Sequence, residues 1–395
     1  MKLKEFFTRN IFLRIQFSPP SKKKILIYDS IGIEYFNKFF FKKDYEIFHN
    51  RYEKINFFIL AKVIIKYGLT NIKKNYKFSY ISYVSPKIII TFADNNPGFY
   101  HTKSKFPDII FIAIQNGVRN RLDLLSLKKD LSKKKLHCDY ILVLSKNFLI
   151  KFKEIINGNV INAGSFKLNF FSKNNISSKK DILFISQTSK NVDLKKIVFN
   201  EIVLIKHLHQ YCADNNLDLT ILLKGKNFLL KHFKKEFNDK IFTKINYISR
   251  NDPFSNYQVI KKFRLISFTH STLGLEAFGL GKKIVAFPLG STSKKWREAN
   301  NVLFLEKFGY PGSLKNKGFF WSNIINKYIL YKIIDRVLKV NRKKLDYQLK
   351  KNSNLITYNY QNTILKKIIK KHINVKIKSF KINKSLYVWL FSFCI

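Results

Sequence analysis

Residues 267–288 read SFTHSTLGLEAFGLGKKIVAFP, and the order of residue types within them decides the fold. The apolar run Arg264 to Phe268 is short, as a buried strand is, and it stops at Thr269, His270, Ser271 and Thr272, the polar chemistry of a tight turn. A helix opens there with Glu276 inside its early turns, and Gly279 and Gly281 end it before a second apolar run, Lys283 to Phe287. Strand, polar turn, helix and strand make the βαβ unit of a parallel sheet. N–H groups at the start of such a helix, with the Ser271 and Thr272 hydroxyls beside them, point at an anion, so the turn reads as a phosphate site. Glu276 suits sugar or ribose hydroxyls, the use that nucleotide-binding folds make of an acidic residue. The same residues also fit a structural role, with Ser271 or Thr272 capping the helix and Glu276 as a capping-box partner.

Outward from this unit the chain repeats the alternation. Asp181 to Ile185, Asp218 to Leu223 and Lys244 to Ile248 are further apolar runs, with a helical segment over Ile197 to Asp214. An earlier series comprises Lys24 to Tyr28, followed by Asp29, Ser30 and Gly32, then a helical pattern over Lys54 to Tyr67, and the runs Lys87 to Phe92, Asp108 to Ile114 and Tyr140 to Leu144. These runs are continuously apolar, which marks strands buried on both faces. The stretch Lys173 to Lys180 is polar and lacks periodicity, so it reads as the linker. The expected architecture is α/β, with two Rossmann-like domains at 21–170 and 181–340, a linker at 171–180, an N-terminal extension at 1–20, and a basic helical segment with an apolar tail at 341–395. Two such sheets leave a central cleft between the carboxyl ends of their strands, where open α/β sheets bind ligands. From Ile324 to Ile373 the pattern predicts one or two long basic helices that pack back on the N-terminal half.

The chain has 395 residues, beyond the size at which one core keeps growing, and 39 Phe and 20 Tyr among its apolar residues are ample for two buried sheets. Its formal net charge is +49, carried mostly by lysines scattered from end to end among Asn, Ile, Phe and Tyr, the pattern of an AT-rich coding bias rather than of a nucleic-acid surface. No RRM, KH or helix-turn-helix signature accompanies the charge. A handful of lysines on one face nonetheless suffices to hold a protein at an anionic leaflet. The three cysteines, Cys138, Cys212 and Cys394, have no paired spacing, which fits a reducing cytoplasm and indicates neither zinc nor a disulfide framework. No signal peptide is read in Phe6 to Phe17, and Ser385 to Ile395 is too short to span a bilayer, so the expectation is a cytoplasmic protein, peripheral at the inner face of the membrane.

The stretch quoted first resembles the donor-binding segment of two-domain glycosyltransferases of the GT-B type, in particular bacterial surface-carbohydrate biosynthesis proteins with an STLGxEA-GKK core. The matching residues are Ser271, Thr272, Leu273, Gly274, Glu276, Ala277, Gly281, Lys282 and Lys283. The resemblance implies that Ser271, Thr272 and the helix start at Gly274 contact a donor diphosphate and that Glu276 holds a donor hydroxyl, with His270 beside them. Thr91 to Gly98 (TFADNNPG) and Ala113 to Asn120 (AIQNGVRN) resemble further segments of the same proteins. Both follow expected strands, which puts Asp94, Asn95, Asn96, Gln115, Asn116 and Arg119 on loops at one sheet edge, on the acceptor side. Asp94 is the candidate general base for an acceptor hydroxyl and His101 its rival. Asn95 to Gly98 also fit plain turn chemistry, with Pro97 at a helix start. Lys224 in LLKGK and Arg250 in YISRND each follow a strand and suit a leaving diphosphate, and Gly164, Ser165 and Lys167 lie near the hinge.

The sequence has no DxD and no metal-spaced cluster, and the resemblance implies leaving-group stabilisation without a required divalent ion or other cofactor. A GxxxxGK[ST] loop and a GxSxG elbow are also missing, which argues against a P-loop NTPase and an α/β-hydrolase. The expected partners are a nucleotide-sugar donor and a saccharide or lipid-linked acceptor. The leading function is sugar transfer in cell-surface glycan assembly. A sugar-nucleotide 2-epimerase and a glycerol-phosphate polymer transferase share the plan, and a non-catalytic basic protein, membrane-associated or nucleic-acid-binding, is the reading of another class.

Overall fold

A computed structural model describes residues 15–51, 53–119, 135–173, 179–186, 194–223, 246–249, 254–269, 271–287, 318–322 and 326–379 of the chain. The strands are β1 (Ile15–Gln16), β2 (Ile25–Ile27), β3 (Tyr45–Ile47), β4 (Ile55–Asn56), β5 (Ile88–Thr91), β6 (Ile110–Ile114), β7 (Leu136–Val143), β8 (Ile156–Asn162), β9 (Lys180–Ile185), β10 (Leu219–Leu223), β11 (Asn246–Ser249), β12 (Phe263–Phe268) and β13 (Lys283–Ala286). The helices are α1 (Ile33–Phe39), α2 (Phe57–Tyr67), α3 (Ile72–Val84), α4 (Pro97–Lys103), α5 (Lys146–Lys153), α6 (Leu194–Asp214), α7 (Ser255–Lys261), α8 (Thr272–Gly279), α9 (Lys327–Leu338), α10 (Arg342–Lys351) and α11 (Thr363–His372).

Two parallel sheets carry the fold. The first has six strands in the order β3-β2-β5-β6-β7-β8, and the second has five in the order β11-β10-β9-β12-β13. The continuous apolar runs became the interior strands for the reason the sequence gives. Every residue of β2, β5 and β10 is buried, because helices cover both faces of a parallel sheet. The chain changes direction between β2 and β5 in the first sheet and between β9 and β12 in the second. These are the topological switch points, where adjacent loops part and leave a crevice at the carboxyl ends.

Beyond Asn326 the structure departs from one or two long helices. Three shorter ones form, α9, α10 and α11, because asparagine side chains restart the chain. Asn326 accepts from the N–H groups of Tyr328 and Ile329 at the head of α9, and Asn341 accepts from Lys344 N at the head of α10. The segment then returns to the first sheet. Thr357 N donates to Leu144 O at 2.9 Å, the Tyr140 hydroxyl meets His372 Nε2 at 3.0 Å, and Phe40 bridges Ile377. Gly164, with φ at +74°, makes this crossing, since a Cβ there would stand 2.3 Å from Thr357 O. Residues 174–178 of the expected linker, the extension before residue 15 and the apolar tail Ser385 to Ile395 lie outside the described residues.

Candidate functional site

The strand β12 ends at Phe268, and α8 begins four residues later against it. The ring of Phe268 lies 2.3 Å from where a Cβ on Gly274 would stand, so only glycine lets the first turn of α8 sit this close to its strand. Ser271 takes the N-cap position with extended backbone, and its carbonyl accepts from Gly274 N at 3.1 Å, while its hydroxyl makes no capping bond. The helix start therefore presents the Thr272 and Leu273 N–H groups, with the Ser271 hydroxyl beside them.

The loop after β6 faces this turn. Val118 N donates to Thr272 Oγ1 at 3.0 Å, and a Cβ on Gly117 would lie 3.3 Å from the same oxygen. The two segments singled out in the sequence, one from each sheet, thus touch. Gln115 shapes the loop, its Oε1 accepting from Leu144 N and its Nε2 donating to Gly117 O, both at 2.9 Å. Asp94 secures the loop from below. Its buried carboxylate accepts from Arg119 Nε at 2.9 Å and from Asn116 N at 3.2 Å, and it pairs with Arg119 Nη2, which also reaches Asn116 Oδ1 at 2.8 Å. Both of its oxygens are engaged. Asn96 caps α4 by accepting from Gly98 N at 3.0 Å, which is the turn chemistry that the sequence left open. Asn95 and His101 are exposed, and the structure does not bring His101 to this contact.

Glu276 is wholly buried, and its neighbours come from both halves. Its Oε1 accepts from the Ser165 hydroxyl at 2.5 Å, its Oε2 accepts from the Tyr257 hydroxyl at 2.7 Å, and Lys167 Nζ stands 3.5 Å away. It is therefore neither a capping-box partner nor an open acceptor in this arrangement. Both of its oxygens are used to join the turn after β8 to α7 and α8. Burial and the adjacent Glu276 carboxylate hold the Tyr257 hydroxyl well above the ordinary tyrosine pKa, so it donates as the neutral phenol. Lys224, Arg250 and His270 lie outside the described residues.

The sequence reading missed two clusters at the switch points. In the second sheet, the buried Glu201 accepts from the Ser186 hydroxyl at 2.7 Å and the Thr269 hydroxyl at 3.3 Å, tying the ends of β9 and β12 together. A signal existed: Glu201 shares the helical face of Leu204, Ile205 and Leu208, all buried, and an acid there marks a polar partner within. In the first sheet, Asp29 follows β2 and accepts from Ile31 N at 3.0 Å and Arg51 Nε at 3.2 Å. Beside it the Ser30 hydroxyl donates to Glu53 Oε1 at 2.9 Å, and His49 Nδ1 lies 3.9 Å from Glu53 Oε2. Burial pushes the His49 pKa below its usual value, outweighing the acids around it. Tyr257 gave no signal among 20 tyrosines.

Doubly wound parallel sheets facing each other across such loops define a GT-B fold, and solved structures agree. The wall teichoic acid polymerase TagF, as its H548A variant, superposes with a TM-score of 0.53 at 13% identity over 89% of each chain. Its H444N variant soaked with CDPG gives 0.51 at 13% identity over 89% of each chain. A Listeria monocytogenes "putative UDP-N-acetylglucosamine 2-epimerase" gives 0.51 at 11% identity, covering 89% of this chain and 96% of that one. At such identities the likeness concerns the fold. No curated protein sequence matches the chain. A family model described as "putative O-antigen biosynthesis protein" matches residues 112–373, well over half of the chain. The chain belongs to that family, and its setting is surface-carbohydrate biosynthesis.

Proposed function

We propose that this protein transfers a sugar from a nucleotide-activated donor to a saccharide or lipid-linked acceptor during O-antigen assembly. The observation that carries the reading is the meeting of the α8 start with the Gln115 to Arg119 loop at 3.0 Å, which puts anion-binding N–H groups and hydroxyls beside a polar loop of the opposite sheet. The donor diphosphate rests on the Thr272 and Leu273 N–H groups and the Ser271 hydroxyl. Lys167 meets the charge that develops on it, and Lys224 or Arg250, which come next in sequence after β10 and β11, are the further cations this reading calls for. An acceptor hydroxyl attacks the anomeric carbon, the bond to the diphosphate breaks, and the nucleoside diphosphate leaves with the electron pair.

The hydroxyl proton passes to a base on the first sheet. Asp94, with both oxygens engaged by Arg119 and Asn116, serves better as the group that positions the loop. His49 follows β3 at the same carboxyl edge and is kept neutral by burial, so it is the base this reading favours. Glu276 reaches a donor hydroxyl by exchanging it for Ser165, which ties donor binding to the contact between halves. No resident metal or cofactor enters this scheme, and turnover is expected to survive EDTA.

Thermal stabilisation against a panel of nucleoside diphosphates and nucleotide sugars tests the reading. A ligand at about 100 times its Kd adds roughly 2.7 kcal/mol. A shift specific to one nucleobase and lost in Ser271→Ala with Thr272→Val supports the donor site. Shifts that follow phosphate charge alone and ignore both substitutions sink it. Interconversion of a sugar nucleotide without any acceptor would instead make the chain an epimerase.

A further inference from the structure

The last turn of α2 and the four-residue connection to α3, Gly68 to Asn71, expose apolar side chains where surface hairpins are ordinarily polar. Residues 64–71, IIKYGLTN, are all exposed, and among them Ile65 is 85% and Leu69 75% exposed. Short helix–helix connections are ordinarily polar, and contiguous apolar surface marks an interaction site. The exposed apolar residues continue along α2, where Phe57, Ile64 and Ile65 occupy the side opposite the buried Ile59 and Val63. Phe17, itself on the surface, packs on Phe57 with ring centroids 5.6 Å apart and widens the patch.

The same hairpin has a one-sided charge. Between Glu53 and Asp94 the sequence contains no acidic residue, whereas lysines stand at 54, 62, 66, 73, 74, 77 and 87. Among the described residues no ion pair engages Lys62, Lys66, Lys73, Lys74 or Lys77. Lysines are common throughout the chain and would prove nothing alone. Their coincidence with exposed Ile64, Ile65, Tyr67 and Leu69 is specific, because aliphatic side chains ringed by cations match the apolar interior and anionic headgroups of a bilayer. A second copy of the chain fits poorly, since a twofold contact would set one acid-free surface against another.

We propose that the α2–α3 hairpin docks the protein on an anionic lipid surface, with Ile65 and Leu69 entering the headgroup boundary and the lysines contacting phosphates. No described helix is long and apolar enough to cross a membrane, so the contact is peripheral at this site. The geometry also sets the orientation. The helix α3 feeds β5, and a helix that connects strands of a parallel sheet runs back against them, which puts its first residue and the tip on the side of the carboxyl ends of the first sheet. Tyr80 marks this level, its hydroxyl donating to Ile47 O at 3.0 Å and its ring packing on Phe48 just past β3. Docking would hold the loops that carry Asp29 and Asp94 beside the bilayer. That last consequence bears on a lipid-linked acceptor and rests on the proposed transfer, whereas docking itself does not.

The test is flotation of the full chain with phosphatidylcholine vesicles, with and without phosphatidylglycerol, in the absence of any sugar nucleotide. Wild type is expected to float with the anionic vesicles. Ile65→Ser with Leu69→Ser should weaken binding about 100-fold, as loss of two inserted aliphatic side chains implies. Lys66→Gln, Lys73→Gln and Lys74→Gln together should cost a similar factor, at about 5-fold for each cation near an anionic surface. The matched control Lys343→Gln, Lys350→Gln and Lys351→Gln on α10 should float like wild type. All these positions are exposed, so each variant should keep the wild-type Tm, and Leu69→Trp should shift its emission to the blue on vesicles. Equal losses from both lysine sets with none from the aliphatic pair would overturn the proposal in favour of diffuse charge attraction. An aliphatic pair variant that splits a dimer in lipid-free buffer yet still floats would assign the surface to a second copy.

Discussion

Replacement of Glu276 separates a carboxylate that joins the two halves from one that merely lines a pocket. The side chain is wholly buried and takes hydroxyl hydrogens at 2.5 Å from Ser165 and 2.7 Å from Tyr257, with the Lys167 ammonium at 3.5 Å. A hydrogen bond to a charged group contributes about 1.5–3 kcal/mol, and a buried donor left without an acceptor costs about 1–3 kcal/mol. Glu276→Ala strips the acceptor from two buried hydroxyls, so it should destabilise by roughly 3–6 kcal/mol. Urea denaturation followed by ellipticity and by tyrosine fluorescence is the assay, with coincident transitions required before a free energy is taken. Ser165→Ala, Glu276→Gln and the double variant close a cycle, and the expected coupling is about 1.5–3 kcal/mol. A coupling under about 0.5 kcal/mol, the level at which independent sites add, would refute the bridging role.

Two further outcomes follow from buried charge. Asp94→Asn leaves Arg119, whose side chain is 12% exposed, without its carboxylate, and should cost about 3–5 kcal/mol in the same denaturation assay; a neutral result would mean that the pair does not hold the loop. Burial pushes the Lys282 ammonium from 10.5 down to about 8, so the folded chain binds that proton less readily than the unfolded chain, and its charge opposes folding below pH 8. Lys282→Met should then be more stable than wild type at neutral pH by up to about 3 kcal/mol, less about 1 kcal/mol for the lost bond to Lys261 O. The advantage should shrink as pH rises from about 8 towards 10.5, and a difference constant over that range would contradict the assignment.

Interior strands were legible because burial on both faces leaves a continuous apolar run, as in Ile88 to Thr91 and Leu219 to Leu223. The edge strands of the first sheet were not, whereas β11 and β13 at the edges of the second were. Only Ile156 and Val160 are buried in β8, and β3 is three residues long, so neither shows a pattern distinct from a loop. At the site, Thr272 and the Gln115 to Arg119 loop were legible as turn chemistry after strands, and the structure brings them together. What Glu276 and Asp94 touch was not, because Ser165, Tyr257 and Arg119 reach them across 111, 19 and 25 residues of chain. Sequence shows that a carboxylate is present at a sheet edge. Whether it is open to a ligand or consumed by its neighbours depends on tertiary contacts.

The return of the C-terminal segment to the first sheet sets a schedule for biosynthesis. Leu144 O, Tyr140 and Phe40 wait for Thr357, His372 and Ile377, so the first half lacks part of its cover until almost all of the described chain has left the ribosome. At about 5–20 residues per second, the interval between the end of β8 and Ile377 is roughly 10–40 s, long against the folding time of an ordinary domain. During it the nascent first half exposes apolar surface that a chaperone would recognise. A chain cut just after α9 would leave that half in the same unfinished state permanently.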